Sequence, residues 1–223
     1  LLEAIRICEI DPVVHICSSS EVYGQVTEKD IPITEDCPLR PVSPYAVSKV
    51  GEDMLGYMYY TAHGLKTIRT RMFTHSGPRR GEVFVDSFFS RQIARIEQGL
   101  QEPVIRVGNL ESVRTFCDVR DTVRAYWLLA KHCAPGEVYN IGGTTTMTIG
   151  QMLDMLLGMT SYKGKIKVEV DKTLLRPADV TLQIPSFQKF KAATGWEPNI
   201  PYEQTLSDML SYWRNRVQVT PDF

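Results

Sequence analysis

The sequence predicts an α/β protein whose largely parallel sheet is laid down first, with a smaller lobe after it. Three observations carry this. Short apolar runs alternate along the chain with longer stretches of helical periodicity. The first such run, VVHICS at residues 13–18, is almost continuously apolar, as in strands buried within parallel sheets. No internal repeat, low-complexity tract or flexible linker divides the 223 residues. The lobes therefore share an interface, which is where ligands commonly sit.

The elements follow in order. Residues 1–9 read as the tail of a helix with Leu2, Ile5 and Cys8 on one face, broken by Asp11-Pro12. The opening LLEAIRICEIDPVV lacks Met and starts inside a helical pattern, which predicts a preceding segment. The strand at 13–17 is expected to be central and buried on both faces. Residues 25–43, rich in Pro, Glu and Asp, predict a surface loop. A helix is expected from Pro44 to about His63, stopped by Gly64. KTIRTRMF is the next strand, VDSFFSRQIARIEQG a helix stopped by Gly99, and EPVIRVG a further strand. Asp118 caps a helix running to about His132, EVYNIGG is a strand, and Thr148 caps the helix IGQMLDMLLGM. KIKVEV is a strand, Ser186 opens a short helix, and residues 201–216 form a last amphipathic one.

Composition narrows the function. A formal net charge of -1 gives no electrostatic case for nucleic acid or an anionic membrane as partner. No apolar stretch approaches a membrane span, and no signal-peptide pattern opens the chain. The five cysteines, Cys8, Cys17, Cys37, Cys117 and Cys133, are odd in number and widely spaced, which fits a reducing cytoplasm. The four histidines show no metal-ligand spacing, so no metal site is expected.

Two stretches carry chemistry. In SPYAVSK, Tyr45 and Lys49 stand at i and i+4, on one helix face. An ammonium beside a phenol stabilises the phenolate, so Tyr45 is suited to exchange a proton with a sugar hydroxyl. SSSEVYG puts Ser18, Ser19, Ser20 and Glu21 at the carboxyl end of a strand, where open α/β sheets bind ligands. A serine there can hydrogen-bond the reacting oxygen, and Glu21 can take an acidic proton next to a carbonyl. Each stretch alone has an ordinary explanation: YxxxK is a frequent accident on a solvated helix, and Ser-rich strand ends are often plain turns. Their order and separation favour a single reaction centre. Elsewhere the ordinary reading stands first: Trp196 and the methionines of MLDMLLGM as core, and Asp118 and Asp121 as a capped and solvated helix start.

The stretches SSSEVYG, SPYAVSK, RTRMFTHSGPRRG, VGNLESVRTFCDVRD and LLRPADV together resemble the extended short-chain dehydrogenases/reductases, the NAD-dependent epimerase/dehydratase family acting on nucleotide sugars. The resemblance covers nearly the whole chain and is strongest to the branch that dehydrates or reduces GDP-mannose derivatives. It implies a Rossmann-like, doubly wound, mainly parallel sheet with its N-terminal strands lying ahead of residue 1. Residues 1–145 would be the remainder of the NAD(P)-binding domain, with about 74–110 contributing to the substrate lobe. Residues 146–223 would mainly form the sugar-nucleotide lobe.

The same resemblance implies the roles. Ser19, Tyr45 and Lys49 form the triad, Glu21 is the base for a C5 proton, and Ser20 neighbours it as proton donor. Ser18, Tyr45, Lys49, His75 and Arg80 fall on the cofactor side, with NADP favoured over NAD. Thr74, Arg114, Arg176 and Asp179 fall on the substrate side, where guanidinium forks suit a diphosphate. Arg79-Arg80 also reads as a solvated turn, and Arg176-Pro177 as the start of a strand or loop. The implied partner is a nucleotide sugar, GDP-mannose or a relative, with a homodimer or homotetramer as the assembly and the cytoplasm as the location. The sequence departs from the family at Thr74, where Asn is usual, at Thr115, where Asp is usual, and at Pro185-Ser186. It contains no TGxxGxxG turn for the cofactor pyrophosphate. A non-catalytic, sugar-nucleotide-binding paralogue is the alternative of another class.

Overall fold

The computed structural model describes residues 1–175 and 182–219. The chain runs α1 (Leu2–Ile7), β1 (Val14–Ser19), α2 (Pro44–His63), β2 (Thr67–Met72), β3 (His75–Ser76), α3 (Val85–Glu97), β4 (Val104–Val107) and β5 (Val113–Asp118). It continues through α4 (Val119–His132), β6 (Val138–Ile141), β7 (Thr145–Thr148), α5 (Ile149–Gly158), β8 (Lys167–Val170), β9 (Leu182–Gln183), α6 (Gln188–Thr194) and α7 (Tyr202–Val219).

β1, β2 and β6 form a parallel sheet in that spatial order. β2 explains its two-sided burial, because all six residues of TIRTRM are buried and alternate between faces. Thr67, Arg69 and Arg71 meet α2, through Gly56 and Asp53. Ile68 and Met72 join Ala125 and Leu129 of α4 and Phe190 of α6 in a core on the other face. Helices on both faces of a parallel sheet make the doubly wound arrangement. A second core gathers α3, β4, α5 and α7, with Phe116 stacked on Tyr202 at 4.5 Å between centroids. Beside it, β5 pairs with β3 and β9 in parallel and with β7 antiparallel, while β4 pairs with β8 in parallel.

The helix ends obey local chemistry. Ser43 accepts from the Ala46 N–H at 3.0 Å and Pro44 opens α2, while Gly64 closes it in a left-handed conformation, φ 68°. Thr148 and Gln151 form a capping box on α5.

Four expectations are corrected. β1 is not central among the described residues: only β2 pairs with it, and Val13 and Cys17 are exposed. Val14 and Ile16 pack with Ile5 of α1, while on the other face His15 meets Tyr126 of α4 and lies 2.8 Å from the Thr70 hydroxyl of β2. Cys8 lies past the end of α1 and is exposed. The 25–43 loop is not wholly superficial. Ile33 is buried, takes a bond from the Ser186 N–H at 2.8 Å and gives one to the Ile184 carbonyl at 2.8 Å. α6 is capped by Phe187 rather than opened by Ser186.

Candidate active site

Register brings the candidate residues to one edge of the sheet. Ser19 of β1 lies opposite Met72 of β2, and Met72 opposite Ile141 of β6. The chain leaving β1 as Ser20–Tyr23 and the chain leaving β2 as Phe73–His75 therefore emerge side by side. Residues Ser20–Tyr23 form a short 3-10 turn because the Ser19 hydroxyl accepts from the Glu21 N–H at 3.2 Å. Gly24 ends it at φ 65°, where a Cβ would stand 1.8 Å from the Arg40 carbonyl oxygen. Tyr23 is fully buried, donates to Asn140 Oδ1 at 2.7 Å and accepts from Arg71 at 3.1 Å. Burial pushes its phenol up to about 12, which removes it as an acid-base.

Tyr45, by contrast, is an accessible phenol. It sits in the first turn of α2, 52 % exposed. Lys49, one turn on, donates to the Cys17 carbonyl at 2.8 Å and to Glu52 Oε2 at 2.6 Å. The Ser18 hydroxyl donates to the Lys49 carbonyl at 3.4 Å. α2 is thus tied to the carboxyl end of β1. Burial works against the Lys49 ammonium, but the Glu52 carboxylate outweighs it and moves the group above its ordinary value, so it is charged at neutral pH. The donor set fits the ribose end of a dinucleotide: an ammonium with one N–H uncommitted among the described residues, a half-exposed phenol and a nearby serine.

A cleft of about 690 Å³ lies beside this edge, lined among others by Glu21, Thr74, Arg80 and Arg114. Ser18, Ser19, Ser20, Tyr45, Lys49 and His75 are not part of its wall. Arg80 is held firmly. It pairs with the buried Asp86 at 3.3 Å, stacks over Phe84 at 4.1 Å and donates to the His75 carbonyl. His75 lies near the Phe73 carbonyl, Nδ1 to O 3.2 Å, and burial pushes its imidazole down, keeping it neutral. Arg91, also in the wall, pairs with Glu82 at 3.1 Å. Arg114 donates to the Val113 carbonyl at 3.0 Å and stands opposite Met147 in the β5–β7 ladder. Arg176 and Asp179 lie outside the described residues.

Two expectations about polar residues change. Asp118 and Asp121 are buried rather than solvated. Asp118 accepts from Arg120 and from the Thr205 hydroxyl at 2.7 Å, and Asp121 accepts the backbone N–H groups of Asn199 and Ile200. They fasten α4 to the segment leading into α7. Thr115, at the family's Asp position, faces Thr146 across the ladder with hydroxyls 2.7 Å apart and is absent from the cleft wall. Trp196 is fully buried core, as expected.

Sequence reasoning missed three supporting residues. Asp86 anchors Arg80 and accepts from the Tyr202 hydroxyl at 3.4 Å. Glu52 is the anion nearest Lys49, and its i+3 spacing was a readable signal. Asp53 is fully buried between Arg69 and Arg71, and the RxR alternation of β2 was the corresponding clue.

A parallel sheet with helices on both faces, α2 tied through Lys49 to the carboxyl end of β1, and an arginine-lined cleft beside it make the architecture of a Rossmann-type epimerase/dehydratase protein. A sequence model described as GDP-mannose 4,6 dehydratase matches residues 1–209. The chain belongs to that family of NAD(P)-dependent nucleotide-sugar dehydratases and reductases. It is 33% identical to the GDP-6-deoxy-D-mannose reductase of Pseudomonas aeruginosa, over 98% of this chain and 71% of that one. It is also 33% identical to GDP-mannose 4,6 dehydratase 1 of Arabidopsis thaliana, over 94% of this chain and 58% of that one. The chain thus spans little more than half of the plant relative. Its fold matches the solved structure of RMD from Pseudomonas aeruginosa complexed with NADPH, with a TM-score of 0.90 at 34% identity, covering 97% of this chain and 71% of the other. It also matches dTDP-glucose 4,6-dehydratase from Bacillus anthracis in complex with NAD, with a TM-score of 0.83 at 26% identity, covering 98% and 66%. Among the described residues no helix is long and apolar enough to cross a membrane.

Proposed function

We propose that this chain carries the catalytic and sugar-nucleotide-binding residues of a GDP-mannose 4,6-dehydratase. The observation that carries the reading is Glu21 in the wall of the cleft it shares with Thr74, Arg80 and Arg114. Elimination of water across C5 and C6 needs a carboxylate to take a carbon-bound proton, whereas reduction of a ketone does not. Tyr45 takes the C4 hydroxyl proton, Lys49 stabilises the phenolate and Ser19 donates a hydrogen bond to the reacting oxygen. Glu21 then takes the C5 proton, made acidic by the C4 ketone, and Ser20 passes a proton to the departing C6 hydroxyl. A bound NAD(P), NADP by preference, would supply the hydride chemistry between C4 and C6. Ser18, Tyr45, Lys49, His75 and Arg80 would hold it. Arg114, with Arg176 and Asp179, would receive the diphosphate and sugar, and Thr74 would orient the hexose.

The division at about residue 145, with 74–110 crossing to the second lobe, belongs to the same proposal, supported by the separate core of α3, β4, α5 and α7. So do a homodimer or homotetramer and a cytoplasmic location, the latter supported by five free cysteines. A second reading, reduction of the 4-keto-6-deoxy sugar, is favoured by the 33% identity to the GDP-6-deoxy-D-mannose reductase of Pseudomonas aeruginosa. Full-length protein incubated with GDP-mannose and NADP⁺, and separately with GDP-4-keto-6-deoxymannose and NADPH, separates the two by product analysis. Formation of the 4-keto-6-deoxy sugar supports the dehydratase. Turnover of the ketone alone supports the reductase.

A further inference from the structure

Lys49 stands on one face of α2 between two groups that compete for its charge. Tyr45 lies four residues before it and Glu52 three residues after it, so the three side chains follow one another along the helix. The ammonium gives one proton to Glu52 Oε2 at 2.6 Å and a second to the Cys17 carbonyl at 2.8 Å. No such bond reaches the Tyr45 hydroxyl among the described residues. The charge that should favour a phenolate is therefore largely balanced by a carboxylate on its far side.

We infer that Glu52 is a positioning residue that holds the Lys49 ammonium and thereby raises the proton affinity of Tyr45, setting the pH at which the site becomes a base. The inference rests on the reading of Tyr45 as the acid-base. Glu52 acts through Lys49 rather than directly. Seven residues of helix separate it from Tyr45 by about 10 Å, roughly a Debye length at 0.1 M salt, so direct repulsion is heavily screened. Lys49 touches Glu52 and adjoins Tyr45, and its side chain is only 22% exposed, so its charge is felt at short range. The other titratable groups facing this cluster are His15 and Cys17 on β1 and Tyr126 on α4. Burial moves His15 down, Cys17 up and Tyr126 up to about 12, which favours the neutral form of each. Glu52 is the carboxylate of this group and the one paired with Lys49.

The test reads Tyr45 directly and does not depend on turnover. Protein labelled with [¹³Cζ]tyrosine is titrated by NMR, and the Tyr45 signal among the ten tyrosines is assigned by its loss in Tyr45→Phe. Glu52→Gln should lower the Tyr45 midpoint by about 0.5–1 pH unit. In a Lys49→Met background the same change should move it by less than about 0.2 unit. Glu52→Ser provides a second replacement at this half-exposed position. An unchanged or raised midpoint overturns the inference, and so does an equal fall without Lys49. Since the titration is independent of product formation, its failure leaves the dehydratase reading to be judged by product analysis alone.

Discussion

Arg71 Nε donates to the Asp53 carboxylate at 2.8 Å in a place from which water is excluded. That contact ties the carboxyl end of β2 to the helix carrying Tyr45 and Lys49. The same guanidinium reaches the Tyr23 hydroxyl at 3.1 Å and the Glu35 carbonyl at 2.9 Å, and Tyr23 reaches Asn140 of β6. The turn bearing Glu21, the helix bearing Tyr45 and the sheet beneath both are therefore fixed to one another through buried charge.

Removing the central carboxylate leaves two guanidinium groups buried without their anion. Asp53→Ala should destabilise the protein by about 3–5 kcal/mol. Urea denaturation measures it, and a loss under about 1 kcal/mol would show that the network adds little to the fold.

Tyr45→Phe removes the proton exchange and leaves the diphosphate contacts alone. Turnover in the full-length protein should fall by about 10²–10⁴. Binding of the nucleotide sugar by calorimetry should stay within about threefold of the native value. A loss of turnover below tenfold would take Tyr45 out of the mechanism.

Acid should weaken the seam between α3 and α7. Burial opposes ionisation of Glu97, but the Arg214 guanidinium, the Ser161 N–H and the Thr160 hydroxyl hold its carboxyl down, from 4.5 to about 2. The folded pKa lies below the unfolded one, so this stabilisation is complete above pH 4.5 and is lost as pH falls toward 2. Denaturation midpoints across that window should show a slope that Glu97→Gln removes. An unchanged slope in the variant would assign acid sensitivity to other groups.

Much of the site was legible because it is local. The Tyr45–Lys49 spacing and the caps Asp118 and Thr148 all depend on neighbours within a turn. What stayed hidden depends on distant chain. Asp118 and Asp121 look like solvated helix-start residues until Thr205 and Asn199 arrive from 87 and 78 residues away. An apolar run predicts burial for β1, yet among the described residues only β2 pairs with it, and pairing is set by chain remote from the run itself. Glu52 was visible at i+3 from Lys49, but only side-chain placement decides that Lys49 turns to it as well as to the Cys17 carbonyl.

The central claim is that Glu21 makes this a site for elimination. Full-length protein and its Glu21→Gln variant are each incubated with GDP-mannose and NADP⁺, and the 4-keto-6-deoxy product is quantified. The native protein should form it, and the variant, which keeps the shape and loses the base, should form it at least about 100-fold more slowly. Normal conversion of GDP-mannose with Gln at position 21 would contradict the account.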